Sequence, residues 1–125
     1  MYIKEIRSIL ELAVPVWHPG LTLKQANSIE SIQKLAFKII LQHDYTSYQQ
    51  ACKSLSALTL AERREKLCLK FAKKNLKSEN NLFTKLAPNL KTRNHNSIVR
   101  EPKCNFTRYK KSPIPYLARL LNNRK

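Results

Sequence analysis

Six cationic side chains recur within one short stretch of the chain: Arg63, Lys66, Lys70, Lys73, Lys74 and Lys77. On an α-helix, at about 100° per residue, they fall within an arc of roughly 100°. The chemistry open to such a row is electrostatic. Ammonium and guanidinium groups neutralise phosphates without reading bases, so binding is sequence-tolerant and weakens steeply with salt. Arg93, Arg100, Arg108, Lys110 and Lys111 carry the same chemistry into the C-terminal third. Phe106 and Tyr109 stand among these residues, a mixture of rings and cations used on single strands, where bases stack on aromatic faces. Docking of the two rings onto a helical body is an equally good reading of the sequence.

Other chemistries are poorly supplied. His18, His43, Cys52 and Cys68 have spacings unlike those of common zinc sites, so no metal and no cofactor is expected. The neighbours of Cys52 and Cys68 are apolar at helical spacing, which suits buried small hydrophobes better than nucleophiles. Asp44 is the only aspartate, whereas two-metal nucleotidyl transfer needs several convergent carboxylates. Three cysteines without a CxxC pair argue for reduced thiols. No run approaches the roughly 20 apolar residues of a membrane span, and the N-terminus lacks the pattern of a secretory leader. An intracellular protein, nuclear or cytoplasmic and without a membrane partner, is the expectation.

The formal charge of +16 is uneven. Residues 1–60 hold six Lys or Arg against Glu5, Glu11, Glu30 and Asp44, a balance of +2; residues 61–125 hold eighteen against Glu62, Glu65, Glu79 and Glu101, a balance of +14. A polyanionic partner follows, of which nucleic acid is the commonest.

The elements that must position these cations are helical. Ile3, Ile6, Ile9, Leu10 and Ala13 predict a first helix over Tyr2 to Ala13, stopped by Pro15. Trp17-His18-Pro19-Gly20 should turn the chain, with Trp17 plugging the corner. Thr22 and Gln25 form a capping box for a long core helix, with Ala26, Ile29, Ile32, Leu35, Ala36, Ile39 and Ile40 on its apolar face and Asn27, Glu30, Lys34 and Lys38 opposite. Ser47 with Gln50 caps a short helix reaching Leu55. Thr59 with Glu62 caps a long one through about Ser78, whose seam is Leu60, Leu67 and Phe71, flanked by Cys68 and Ala72. Arg64 falls near that seam, which predicts either a buried pairing with Glu11 or Glu30 or a snorkelling side chain. From Leu86 to Ser112 the polar, proline-containing segment should be extended or mobile, draped over the body or disordered alone. Pro113 and Pro115 then open a short helix with Leu117, Leu120 and Leu121, marginal unless docked. The expected fold class is all-α: a small bundle of about four helices, with a thumb-like helical domain over residues 1–85, then a basic extended segment over residues 86–125, a long loop or partly disordered, that ends in a short helix.

Four stretches carry a resemblance: Ile6 to Thr22, Ile29 to Lys34, Thr59 to Lys74, and Arg108 to Leu117. Together, in this order and spacing, they resemble the segment downstream of the catalytic palm in reverse transcriptases of jockey-like non-LTR retrotransposons. Leu12 stands where that family usually has an aromatic residue, and Val14 where a smaller one is common. The resemblance implies the thumb and C-terminal extension of an RNA-directed DNA polymerase, which grips the primer-template while fingers and palm, expected upstream, perform the chemistry. On this reading the chain is not itself an enzyme. Its partners would be RNA, DNA or their hybrid, with a polymerase palm or a second copy as further candidates. The alternative from a different class is a helical interaction module using the apolar seams of Leu60, Leu67 and Phe71 and of Leu117, Leu120 and Leu121, or a degenerate remnant without selected function.

Overall fold

A computed structural model describes residues 5–77 and 98–123. Among them the regular elements are all helical and there is no strand. In chain order they are α1 (Ile6–Leu10), α2 (Val14–Trp17), α3 (Leu23–Leu41), α4 (Tyr48–Ser54), α5 (Leu60–Lys77), α6 (Thr107–Lys110) and α7 (Pro113–Asn123), with single 3-10 turns at His18–Gly20 and Gln42–Asp44. The chain forms two compact units, one of residues 1–13 and 21–65, the other of residues 14–20 and 66–125. The boundary expected near residue 85 lies outside the described residues.

Helix starts follow local chemistry. The Thr22 hydroxyl accepts from the Gln25 amide while the Gln25 side chain accepts from the Thr22 amide, closing the expected box at the head of α3. Thr59 and Glu62 repeat it before α5, at 3.2 and 3.3 Å. Ser47 accepts from the Gln50 amide before α4. Helix ends are less conventional because the chain has one glycine, and Gly20 does not adopt positive φ. Ala13, Gln42 and Ser56 take positive φ instead, at 51, 45 and 48°. Such a backbone is disfavoured for residues with a Cβ, by about 1–2 kcal/mol each. This corrects the expected first helix: α1 ends at Leu10, Ala13 makes the break, and Pro15 lies inside the first turn of α2, where its missing donor costs nothing.

In the first unit the core is Phe37, Ala51 and Cys52, with Ala36, Leu41, Tyr45, Tyr48, Leu55 and Ala57 against it. Phe37 stacks on Tyr48 with centroids 6.0 Å apart. The face that α3 buries is not the expected one. Gln33 and Phe37 are buried, whereas Ile32, Leu35, Ile39 and Ile40 are exposed. Polar partners on other elements cause the rotation. Gln33 Nε2 donates to Tyr48 Oη at 3.1 Å and to the Leu58 carbonyl at 3.0 Å. Glu30, expected on the solvent side, accepts from the Tyr48 hydroxyl and, at 3.0 Å, from the Leu60 amide. Arg64 is 2% exposed, with Nη1 3.9 Å from Glu30 Oε2, so Glu30 is its partner, while Glu11 pairs with Arg7 and Arg63.

This network makes the unit alkali-sensitive. Burial first, and then the Glu30 carboxylate, push the Tyr48 hydroxyl far above its ordinary range; burial likewise raises the Cys52 thiol. A group whose pKa is raised by folding contributes stability below its unfolded pKa, about 10 for tyrosine, and loses it as pH climbs beyond. Glu30, Gln33, Cys52 and the Lys34 ammonium, 5.2 Å from the ring centroid, surround Tyr48. The thermal midpoint should therefore fall more steeply above about pH 10 in the wild type than in Tyr48→Phe; parallel pH curves would contradict the assignment.

In the second unit Val14, Cys68, Ala72, Val99, Leu117, Ala118 and Leu121 are buried together, with Trp17, Leu67, Leu69, Leu76, Ile114, Tyr116 and Leu120 packed around them. Trp17 thus has the structural place expected of it. His18 meets Tyr116 edge to face at 5.6 Å. The C-terminal helix is docked, and each fully buried leucine contributes about 1.5–3 kcal/mol, which offsets the marginal stability of so short a helix. The expectation of a segment extended or mobile, draped over the body or disordered alone, fits residues 98–106, which form no helix, and is corrected at Thr107–Lys110, which form α6. Asn122 Oδ1 accepts from the amides of Ile98 and Val99 at 2.9 and 3.1 Å and its Nδ2 donates to the Val99 carbonyl at 2.8 Å, so this stretch is pinned to α7 before it turns into α6. Residues 86–97 lie outside the described residues.

Candidate nucleic-acid interface

The geometry of α5 decides what its cations can do. Leu60, Arg64, Cys68 and Ala72 are buried, a row at every fourth residue. Phe71, expected in the seam, is 42% exposed. The buried line therefore runs through Cys68 and Ala72 rather than through Leu67 and Phe71. At about 100° per residue, Lys66, Lys70, Lys73, Lys74 and Lys77 then lie roughly opposite the buried row. All five are exposed. The ion pairs seen among the described residues, Arg7–Glu11, Arg63–Glu11 and Arg64–Glu30, leave these five lysines out. Lys74 and Lys77 also sit in the last turn of α5, where cations oppose the helix dipole favourably.

Arg63 stands apart from the other members of the predicted row. Its Nε donates to Glu11 Oε1 at 3.0 Å, sharing that oxygen with Arg7 at 2.9 Å. Its charge is partly offset within the first unit by a carboxylate it shares, so it is a structural cation with its side chain 40% exposed. Arg100 is exposed one residue beyond the Asn122 clasp. Arg108, Lys110 and Lys111 are exposed on and just after α6. Arg93 lies outside the described residues. The structure thus gathers the predicted cations into an α5 row and an α6 cluster, both in the second unit.

Charge divides between the two units as unevenly as between the halves of the sequence. Among the described residues, the first unit holds seven Lys or Arg against six Asp or Glu, a balance of +1. The second holds eleven against Glu101 alone, a balance of +10. Lys103 and Arg119, absent from the predicted set, belong to this second group. Lys103 is exposed, whereas Arg119 is structural: Nη2 donates to the Lys110 carbonyl at 2.5 Å and Nε to the Pro115 carbonyl at 3.3 Å, tying α6 to α7. Nothing in the sequence distinguishes Arg119 from the other cations, since the carbonyl it seeks is nine residues away.

Cys52 and Cys68 are buried in different apolar clusters, as expected of small hydrophobes, and all three cysteines are reduced. No helix among the described residues is long and apolar enough to cross a membrane. Comparison with protein-family models, curated proteins and solved structures finds no match for the chain.

Proposed function

We propose that this chain is a non-catalytic nucleic-acid-gripping element, the thumb-like part of a reverse transcriptase of the jockey-like non-LTR class, and that it binds the RNA or DNA backbone through α5 and the basic stretch around α6. The single observation that carries the proposal is the placement of Lys66, Lys70, Lys73, Lys74 and Lys77 on one exposed face roughly opposite the buried row of the same helix. A continuous cationic face of this kind engages phosphates along a strand and supplies no donor pattern for base edges. The parentage rests on the four ordered stretches of sequence resemblance.

The test is binding to labelled oligonucleotides of unrelated sequence over a range of salt. If about four phosphates are engaged, log affinity should fall with a slope of about −3 to −4 against log salt, at similar affinity for each sequence. A flat salt response would remove the proposal. For the parentage, the nucleotides directly upstream should encode a palm with its paired aspartates; unrelated sequence there would remove that part.

One observation favours a second reading, a helical interaction module. Ile32, Leu35, Ile39 and Ile40 are exposed along α3 in the first unit, and Ile9 on α1 and Leu12 just after it are exposed too. An apolar face of this kind marks a contact surface. Of the seams first expected to serve this purpose, Leu60, Leu117 and Leu121 are buried within the chain, Leu67 and Leu120 are half-buried, and Phe71 is exposed. Sedimentation at high salt separates the readings: oligomers without nucleic acid favour the second, and a monomer that assembles only on added nucleic acid favours the first.

A further inference from the structure

The α6 turn carries two aromatic rings that packing does not explain. Phe106 is 76% exposed and Tyr109 is 41% exposed. They lie three residues apart, at the head of and within a single helical turn, and such residues share a face. With Arg108 and Ser112 they line an open cleft of about 500 Å3. The volume falls in the range of sites that hold small planar ligands. Residue types alone leave open whether these rings dock on the helical body or wait for a base; their exposure removes docking as the account of Phe106.

The turn is held in place from several sides. The Lys110 amide donates to the Phe106 carbonyl at 3.0 Å, the Lys111 amide to that of Thr107 at 3.1 Å, and the Ser112 amide to that of Tyr109 at 2.9 Å. Arg119 locks the far end through the Lys110 carbonyl. A stacking platform needs this rigidity, because a ring that must be ordered on binding gives back entropy. Arg108 lines the cleft itself, Lys110 and Lys111 follow it on and just after α6, and the described stretch from residue 98 to 112 adds exposed Arg100 and Lys103 against one carboxylate, Glu101. Apolar rings beside unpaired cations match a ligand with an aromatic face and an anionic backbone.

We propose that the cleft formed by Phe106, Arg108, Tyr109 and Ser112 is a base-stacking site for single-stranded nucleic acid, in which the rings hold unpaired bases and Arg108, Lys110 and Lys111 take the flanking phosphates. This deepens the backbone-grip reading and rests on it. The α5 face tolerates single or double strands, since phosphates are all it meets, whereas the α6 cleft requires bases that are free of a partner. Every base has a π-face, so the site selects strandedness and leaves sequence unread.

The experiment compares a 20-nucleotide oligo-dT with a 20-base-pair duplex at one salt concentration, for the wild-type chain and for Phe106→Ala/Tyr109→Ala. The double variant should lose about tenfold or more in affinity for oligo-dT. Duplex affinity and the salt slope should stay as in the wild type, and Phe106→Trp/Tyr109→Phe should restore single-strand binding. An unchanged oligo-dT affinity in the alanine variant, or an equal loss on the duplex, overturns the proposal while leaving the backbone grip standing. A wild-type chain that binds neither oligomer overturns both. Vesicles of phosphatidylserine and phosphatidylcholine form a third arm: binding there that depends on the two rings, with oligo-dT affinity unaffected, would assign the cleft to an anionic membrane surface and overturn the proposal. Ring-proton NMR of the wild type gives a readout independent of any variant's folding. The Tyr109 signals should move upfield on titration with oligo-dT and stay put with duplex, and an unmoved spectrum with bound oligo-dT counts against stacking.

Discussion

Exchanging Lys66, Lys70, Lys73, Lys74 and Lys77 together for glutamine should reduce affinity for any oligonucleotide by roughly a hundredfold near 0.1 M salt, and should flatten the salt slope by about 0.7–0.9 for each phosphate no longer neutralised. The helix itself should survive. Glutamine has nearly the helix propensity of lysine, and none of the five positions is buried. Arg63→Gln, by contrast, should leave the slope almost unchanged, because that guanidinium is already engaged by Glu11. Circular dichroism checks the fold and anisotropy titrations over salt check the slope. If the five-fold variant retained the wild-type slope, the grip would have to lie elsewhere on the chain.

The second large effect concerns the buried centre of the first unit. Glu30→Ala should destabilise it by about 3–5 kcal/mol in urea denaturation, the usual cost of breaking one side of a buried ion pair. Three groups depend on that carboxylate: the Tyr48 hydroxyl, the Leu60 amide at the first turn of α5, and the Arg64 guanidinium. Arg64 has little else to turn to, since its Nε and Nη1 are buried without a hydrogen-bond partner. Glu30→Leu combined with Arg64→Met should recover much of the loss, because it removes both charges and leaves apolar side chains. A single alanine variant within about 1 kcal/mol of wild type would show that the guanidinium finds water or another acceptor at little cost.

What could be read from the sequence was chiefly local. The boxes at Thr22 and Thr59 and the serine cap at Ser47 involve residues three apart, so their chemistry is complete within one window, and the starts of α3, α4 and α5 followed directly. The face of α3 could not be read in this way. Its apolar periodicity points to Ile32, Leu35 and Ile39, yet the side that is buried carries Gln33 and Glu30, whose partners Tyr48, Leu58 and Arg64 lie 15 to 34 positions away. Polar satisfaction across that distance outweighed the hydrophobic pattern. The same reason displaced Arg63, which is identical to its lysine neighbours by spacing and differs only in having Glu11 within reach. The α5 row was legible because the cost of burying an unpaired ammonium keeps lysines outward, and that cost needs no particular partner. The aromatic pair at α6 was visible as residue types, but whether its rings were covered depended on three-dimensional packing.

The charge imbalance between the two units makes salt act on this molecule in two opposing senses. Eleven cations among the described residues of one small body repel one another, and added ions relieve that repulsion. The same ions compete for the phosphates that the lysine face would otherwise occupy. A melting temperature that climbs with potassium chloride while oligonucleotide affinity drops would express both senses in one titration. A bound polyanion would do what the salt does, so the cargo would also act as a folding aid for the half of the protein that carries it.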